Sequence, residues 1–161
     1  MTGEEYNHSV NNWSDHLYRF AMSLVRDTEI SKDLVQESFA KLWEKKETVD
    51  NQKVKSYLFT SLHRLVIDQS RKVKHQRNWE ASKPYSQTTN NQYSDLQEVL
   101  HKAMQQLTNI QKSVLLLRDY EGYSYEEIGE MTNLTESQVK VYIFRARKFM
   151  KAYIGKMEVV L

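Results

Sequence analysis

Apolar residues recur along most of this chain at spacings of three and four, the period at which a helix presents one face repeatedly to its neighbours. Trp13, Leu17, Phe20, Ala21 and Leu24 make one such stripe and predict a first helix. Residues 27–30 interrupt it, and Ser31 is placed to cap a second helix whose apolar positions include Leu34, Val35, Phe39, Leu42 and Trp43. After a polar turn near Asp50, Val54, Tyr57, Leu58, Leu62, Leu65 and Val66 predict a third helix that runs into the basic cluster Arg71, Lys72, Lys74, His75 and Arg77.

Residues 79–94 then lose the period and gather Ser, Thr, Asn and Gln around the only proline, which predicts a flexible linker. Beyond it, Leu96, Val99, Leu100, Ala103, Met104 and Leu107 restore a regular stripe, followed by an apolar run over 114–117 that Gly122 ends. Ser124 with Glu127, and Thr135 with Gln138, have the spacing of capping boxes. Two capped helices around the tight turn 132–134 match helix-turn-helix geometry. The expected fold is therefore all-α, with two small helical domains at 1–78 and 95–161. Each is small enough that its own core should be thin.

Composition narrows the chemistry. The chain has 161 residues, four glycines and no cysteine, which excludes disulfides, thiolate metal sites and cysteine nucleophiles. The start lacks a signal-peptide pattern, and no stretch is apolar enough for a membrane span, so a cytoplasmic protein without stable membrane insertion is expected. The five histidines are scattered without metal-ligand spacing, and no carboxylate cluster for Mg²⁺ or activated nucleophile is evident. No enzyme activity, cofactor or metal is expected.

Net charge is only +2, but its distribution is uneven. Residues 1–53 sum to −3, residues 54–94 to +5, residues 95–132 to −4 and residues 133–161 to +4. Two separate basic blocks fit two local contacts with a polyanion, or else a patchwork of solvated helix faces. The last predicted helix sharpens the choice. Val139, Tyr142, Ile143, Ala146 and Met150 share an inward face, leaving Lys140, Val141, Phe144, Arg145 and Lys148 outward with Arg147 at the edge. A cationic, partly apolar face on the second helix of such a pair suits the DNA major groove.

The segment GYSYEEIGEMTNLTESQVKVYIFRARKFM resembles the region-four helix-turn-helix of extracytoplasmic-function (ECF) sigma factors, and LTNIQKSVLLLRDYEG resembles the segment leading into it. In the other half, DLVQESFAKLW is similar to the family's region-two helix, and SYLFTSLHRLVIDQSRK to the segment that reads and opens the minus-ten element. The resemblance implies a transcription initiation factor that binds core RNA polymerase, through the beta-prime clamp and the beta subunit, and directs it to promoter DNA. It also implies an anti-sigma partner.

Residue by residue, the resemblance assigns clamp binding to Asp33, Gln36, Glu37, Ala40 and Trp43, which fall on one helical face. It assigns the minus-ten strand to Arg64, Asp68, Arg71, Lys72, Lys74, His75 and Arg77. Arg64 stands where the family commonly has asparagine, and Asp68 fits equally an intrahelical pair with Arg71 or Lys72. The minus-thirty-five element falls to Glu136, Ser137, Lys140, Val141, Phe144, Arg145, Arg147 and Lys148. A two-domain helix-turn-helix regulator that binds duplex operator DNA without polymerase would explain residues 124–150 but not DLVQESFAKLW, and a helical adaptor for acidic proteins would not show salt-sensitive, sequence-selective DNA binding.

Overall fold

The computed structural model describes residues 1–77 and 95–160; the expected linker at 79–94 lies outside the described residues. Among the described residues every regular element is helical. These are α1 (Gly3–Val25), α2 (Thr28–Glu44), α3 (Val54–Arg77), α4 (Asp95–Gln105), α5 (Asn109–Asp119), α6 (Tyr125–Thr132) and α7 (Glu136–Val160), with a single 3-10 turn at Asn51–Lys53 before α3.

Side-chain caps set most of these boundaries. Thr2 opens α1 by accepting from the Glu5 N–H at 3.1 Å, and the helix stops where Arg26 turns left-handed at φ 55°. The cap of α2 is not Ser31 as expected. Asp27 Oδ1 accepts from the Ile30 N–H at 2.9 Å, so the helix begins at Thr28 and Ser31 is buried inside it. A carboxylate caps as well as a hydroxyl does, and the earlier one in the chain was available. The capping boxes at Ser124/Glu127 and Thr135/Gln138 both form, and a third, unanticipated one at Thr108/Gln111 opens α5.

The turn between α6 and α7 depends on one glycine. Asn133 closes α6 at φ 58°, and the N–H groups of Asn133 and Leu134 both return to the Gly129 carbonyl. The chain folds back so tightly that a Cβ on Gly129 would lie 2.8 Å from the Leu134 carbonyl oxygen. Only glycine leaves that space open.

In the first half, α1, α2 and α3 bury Leu17, Phe20, Leu24, Leu34, Phe39, Leu42, Leu58, Phe59 and Leu62 between them. In the second, α5, α6 and α7 bury Val114, Leu117, Ile128, Met131, Val139 and Ile143, while Leu107, Leu115 and Ala146 form a small satellite beside α4. The halves do not stand apart: α1 packs on α5 and α3 on α6, joining the two cores into one cluster. Units of this size bury little surface alone, and docking adds to what each can cover.

Candidate functional site

Three outward surfaces follow from the inward ones. On α2 the core takes Leu34, Val35, Ser38, Phe39 and Leu42. Asp33, Gln36, Glu37, Ala40 and Trp43 are left exposed together along the opposite side. Trp43 is 43% exposed, yet it is not loose. The Tyr6 ring meets it edge-on at 4.9 Å, the Lys46 ammonium sits 3.5 Å from its centroid, and the Tyr6 hydroxyl donates to the Phe39 carbonyl at 3.1 Å. The sequence stripe identified Trp43 but not its holders, which come from α1 and from beyond the end of α2.

On α7, Val139, Ile143 and Ala146 are buried as expected. Glu136, Ser137, Lys140, Arg145 and Lys148 are exposed, and so are Val141 at 45% and Phe144 at 67%. Apolar side chains left in water beside cations are what a groove carrying thymine methyls and phosphates can cover. Lys140 also reaches Glu136 one turn back at 3.5 Å and lies above the Tyr125 ring.

Arg147 behaves differently from its neighbours. Its guanidinium is engaged by Asp119 at the end of α5, at 2.5 Å and 3.4 Å, and that hydrogen bond raises its pKa. Two of its five N–H donors thus tie α7 to α5.

On α3, Arg64 and Asp68 are exposed one turn apart. Arg71, Lys72, Lys74, His75 and Arg77 continue the same helix to its end, but their side chains lie outside the described residues.

Sequence reasoning missed the seam between the halves. Lys55 of α3 lies 2.9 Å from Glu121, and His16 of α1 lies 3.5 Å from the other oxygen of the same carboxylate. His63 shares a hydrogen bond with Ser113, and Arg26 contacts His101. Burial, and then the neighbouring Arg64 charge, push His63 down to about 4. The available signal was polar residues inside apolar stripes, His63 between Leu62 and Val66 and Ser113 beside Val114. Among the described residues no group of three or more His, Cys, Asp or Glu could hold a metal, and no helix is long and apolar enough to cross a membrane.

Comparison with known proteins agrees with this geometry. Residues 10–76 match the family model for Sigma-70 region 2, and residues 97–150 match that for Sigma-70, region 4. The RNA polymerase sigma factor SigV of Bacillus subtilis (strain 168) is 34% identical over 149 residues, covering 89% of both chains. The ECF RNA polymerase sigma factor SigM of the same organism is 29% identical, covering 89% of this chain and 91% of that one. Among solved structures, the sigma factor RpoE in complex with the anti-sigma factor NepR from Bartonella quintana superposes with a TM-score of 0.79 at 24% identity, over 94% of this chain and 98% of that one. Matches to sigma-70 region 2 in one half and region 4 in the other define a transcription initiation factor. The chain belongs to the sigma-70 family, in its ECF group. Its function is that of the group: it joins core RNA polymerase and directs promoter recognition and opening.

Proposed function

We propose that the work is divided between the halves. Residues 1–78 bind the beta-prime clamp through Asp33, Gln36, Glu37, Ala40 and Trp43, and hold the melted minus-ten strand through Arg64, Asp68 and the basic end of α3. Residues 95–161 read the minus-thirty-five duplex through the exposed face of α7, and residues 79–94 connect the two. The observation that carries this is the segregation of exposed stripes: the acidic and aromatic one lies on α2, the cationic and apolar one on α7. Opening needs no chemical step by this protein. A cationic groove that holds single strand more tightly than duplex shifts the equilibrium by binding alone.

An open apolar groove among α4, α5 and α7, lined by Leu100, Met104, Leu115, Met150 and Ile154, offers a place for the beta subunit. An anti-sigma protein is a further partner, supported by the complex in which the similar RpoE chain was solved. The protein works in the cytoplasm, where its polymerase is.

Permanganate probing of unpaired thymines, beside footprinting of the duplex, tests the division. Alanine at Arg71 and Lys74 is expected to reduce permanganate reactivity more than upstream protection, and alanine at Lys140 the reverse. Equal loss of both signals in both variants would contradict it.

A further inference from the structure

We infer that Arg26, His101 and Lys112 form a binding site for a small phosphate-class oxyanion, inorganic phosphate or the phosphate end of a nucleotide. Three basic side chains from three elements meet there. Arg26 is the left-handed residue that closes α1, and its guanidinium contacts the Nε2 of His101 on α4. Lys112 lies in the first turn of α5 and is only 5% exposed. A lysine is almost never buried that deeply without a paired charge, yet none of the ion pairs among the described residues involves this one. None of the three residues lies on the exposed faces of α2 or α7, so the site owes nothing to the polymerase and promoter surfaces proposed above.

The cluster lacks a counter-charge. Burial, and then Arg26, lower the Lys112 pKa, while burial, then Arg26 and Lys112, lower that of His101. Neither shift is opposed by a carboxylate among the described residues. An ammonium taken out of water without a partner is costly, and a bound dianion would balance it together with its two neighbours. The donors select the class of anion. A guanidinium offers paired N–H groups to two oxygens of a tetrahedral oxyanion, an ammonium adds a compact charge, and an imidazole becomes a second donor once protonated. Chloride or a single carboxylate would balance only part of that charge. Lys112 also follows the start of α5 at Asn109 by three residues, and a helix N-terminus favours negative charge. The competing reading has the Lys112 stem covering apolar surface while its ammonium reaches water at the edge, and it predicts no anion dependence.

Calorimetric titration of the full protein with inorganic phosphate and with pyrophosphate, each exchanged for chloride at constant ionic strength, tests the site. One saturable event of unit stoichiometry is expected, with a rise in melting temperature as the probe saturates. Lys112→Met keeps an apolar stem and removes the charge, and it should weaken binding by about tenfold or more, since a charge-assisted contact is lost. Arg26→Gln should do the same, and neither variant should gain the wild-type increment in melting temperature. Should Lys112→Met fail to fold, Arg26→Gln, at a half-buried position on the end of α1, carries the comparison alone. Titration with ATP distinguishes the sources: tighter binding than pyrophosphate assigns the site to a nucleotide, and equal or weaker binding to a free phosphate. Lack of saturable binding by either probe in the millimolar range would overturn the site. Variants that bind as well as the wild type would overturn it too, because the anion would then sit on another basic surface.

Discussion

His63 Nδ1 lies 2.8 Å from the Oγ of Ser113, a buried polar contact that joins α3 to α5 across fifty positions of sequence. It survives burial because each group satisfies the other, but only with a neutral imidazole, since a charged ring there would lose its water and face Arg64.

That constraint sets a pH dependence. His63 is pushed down to about 4 in the folded protein, whereas an exposed histidine titrates near 6.5. Its contribution is present above pH 6.5 and is lost as pH falls toward 4, because in that window the unfolded chain takes a proton the native one refuses. The slope is at most about 1.4 kcal/mol per pH unit. The wild-type melting temperature should therefore fall more steeply between pH 6.5 and 4.5 than that of His63→Gln, which can hydrogen-bond but does not titrate. Parallel melting curves for the two proteins would refute the assignment.

Gly129→Ala should damage the DNA-reading half selectively. The added Cβ meets a backbone oxygen at 2.8 Å, which cannot swing aside as a side-chain end would, so the α6–α7 turn must shift. A cost of about 1–3 kcal/mol is expected, as for other overpacked sites. Calorimetry should register the loss, and binding to a minus-thirty-five duplex should weaken while core polymerase affinity through α2 holds. Wild-type stability would mean the turn relaxes freely.

The stripe on α2 predicts a polymerase phenotype without a folding one. Gln36→Lys with Glu37→Lys changes only exposed side chains, so helical content should persist while affinity for core enzyme drops. Tyr6→Phe probes the support of Trp43 by removing the hydrogen bond to the Phe39 carbonyl while keeping the ring. Its cost in polymerase affinity should be a small fraction of that for Trp43→Ala. A pull-down titration ranks the three, and unaltered binding by the double lysine variant would remove α2 from the interface.

How much of this was legible in the sequence depended on the distance over which each interaction acts. The boxes at Ser124 and Thr135 involve residues three apart, so residue type and spacing sufficed. The Asp27 cap shows the limit of the same rule: two good capping residues stood four positions apart, and sequence could not rank them. The exposed faces of α2 and α7 were readable because helical period alone separates them from the core. The seam was not, since Lys55 and Glu121 or His63 and Ser113 meet only through the docking of two halves whose placement no local pattern encodes. The tie between Arg147 and Asp119 was illegible for the same reason, the two lying 28 residues apart on different helices.

That partner makes Arg145 and Arg147 separable by experiment. Both are exposed arginines on α7, two positions apart, yet only Arg147 is held by a carboxylate. If Arg145 reads a guanine through two hydrogen bonds, Arg145→Ala should cost about 1–3 kcal/mol at its preferred site and relax selection at one base pair. If Arg147 acts by fixing the angle of α7 through Asp119, Arg147→Ala should weaken binding to all sequences by a similar factor and leave the preferred sequence unchanged. Asp119→Asn should do the same, and the double variant should lose little more than either single one, because both delete one contact. Selection from a randomised minus-thirty-five library, read by sequencing, distinguishes the outcomes. A shifted preference with Arg147→Ala would return it to the readers, and an unshifted one with Arg145→Ala would remove Arg145 from them.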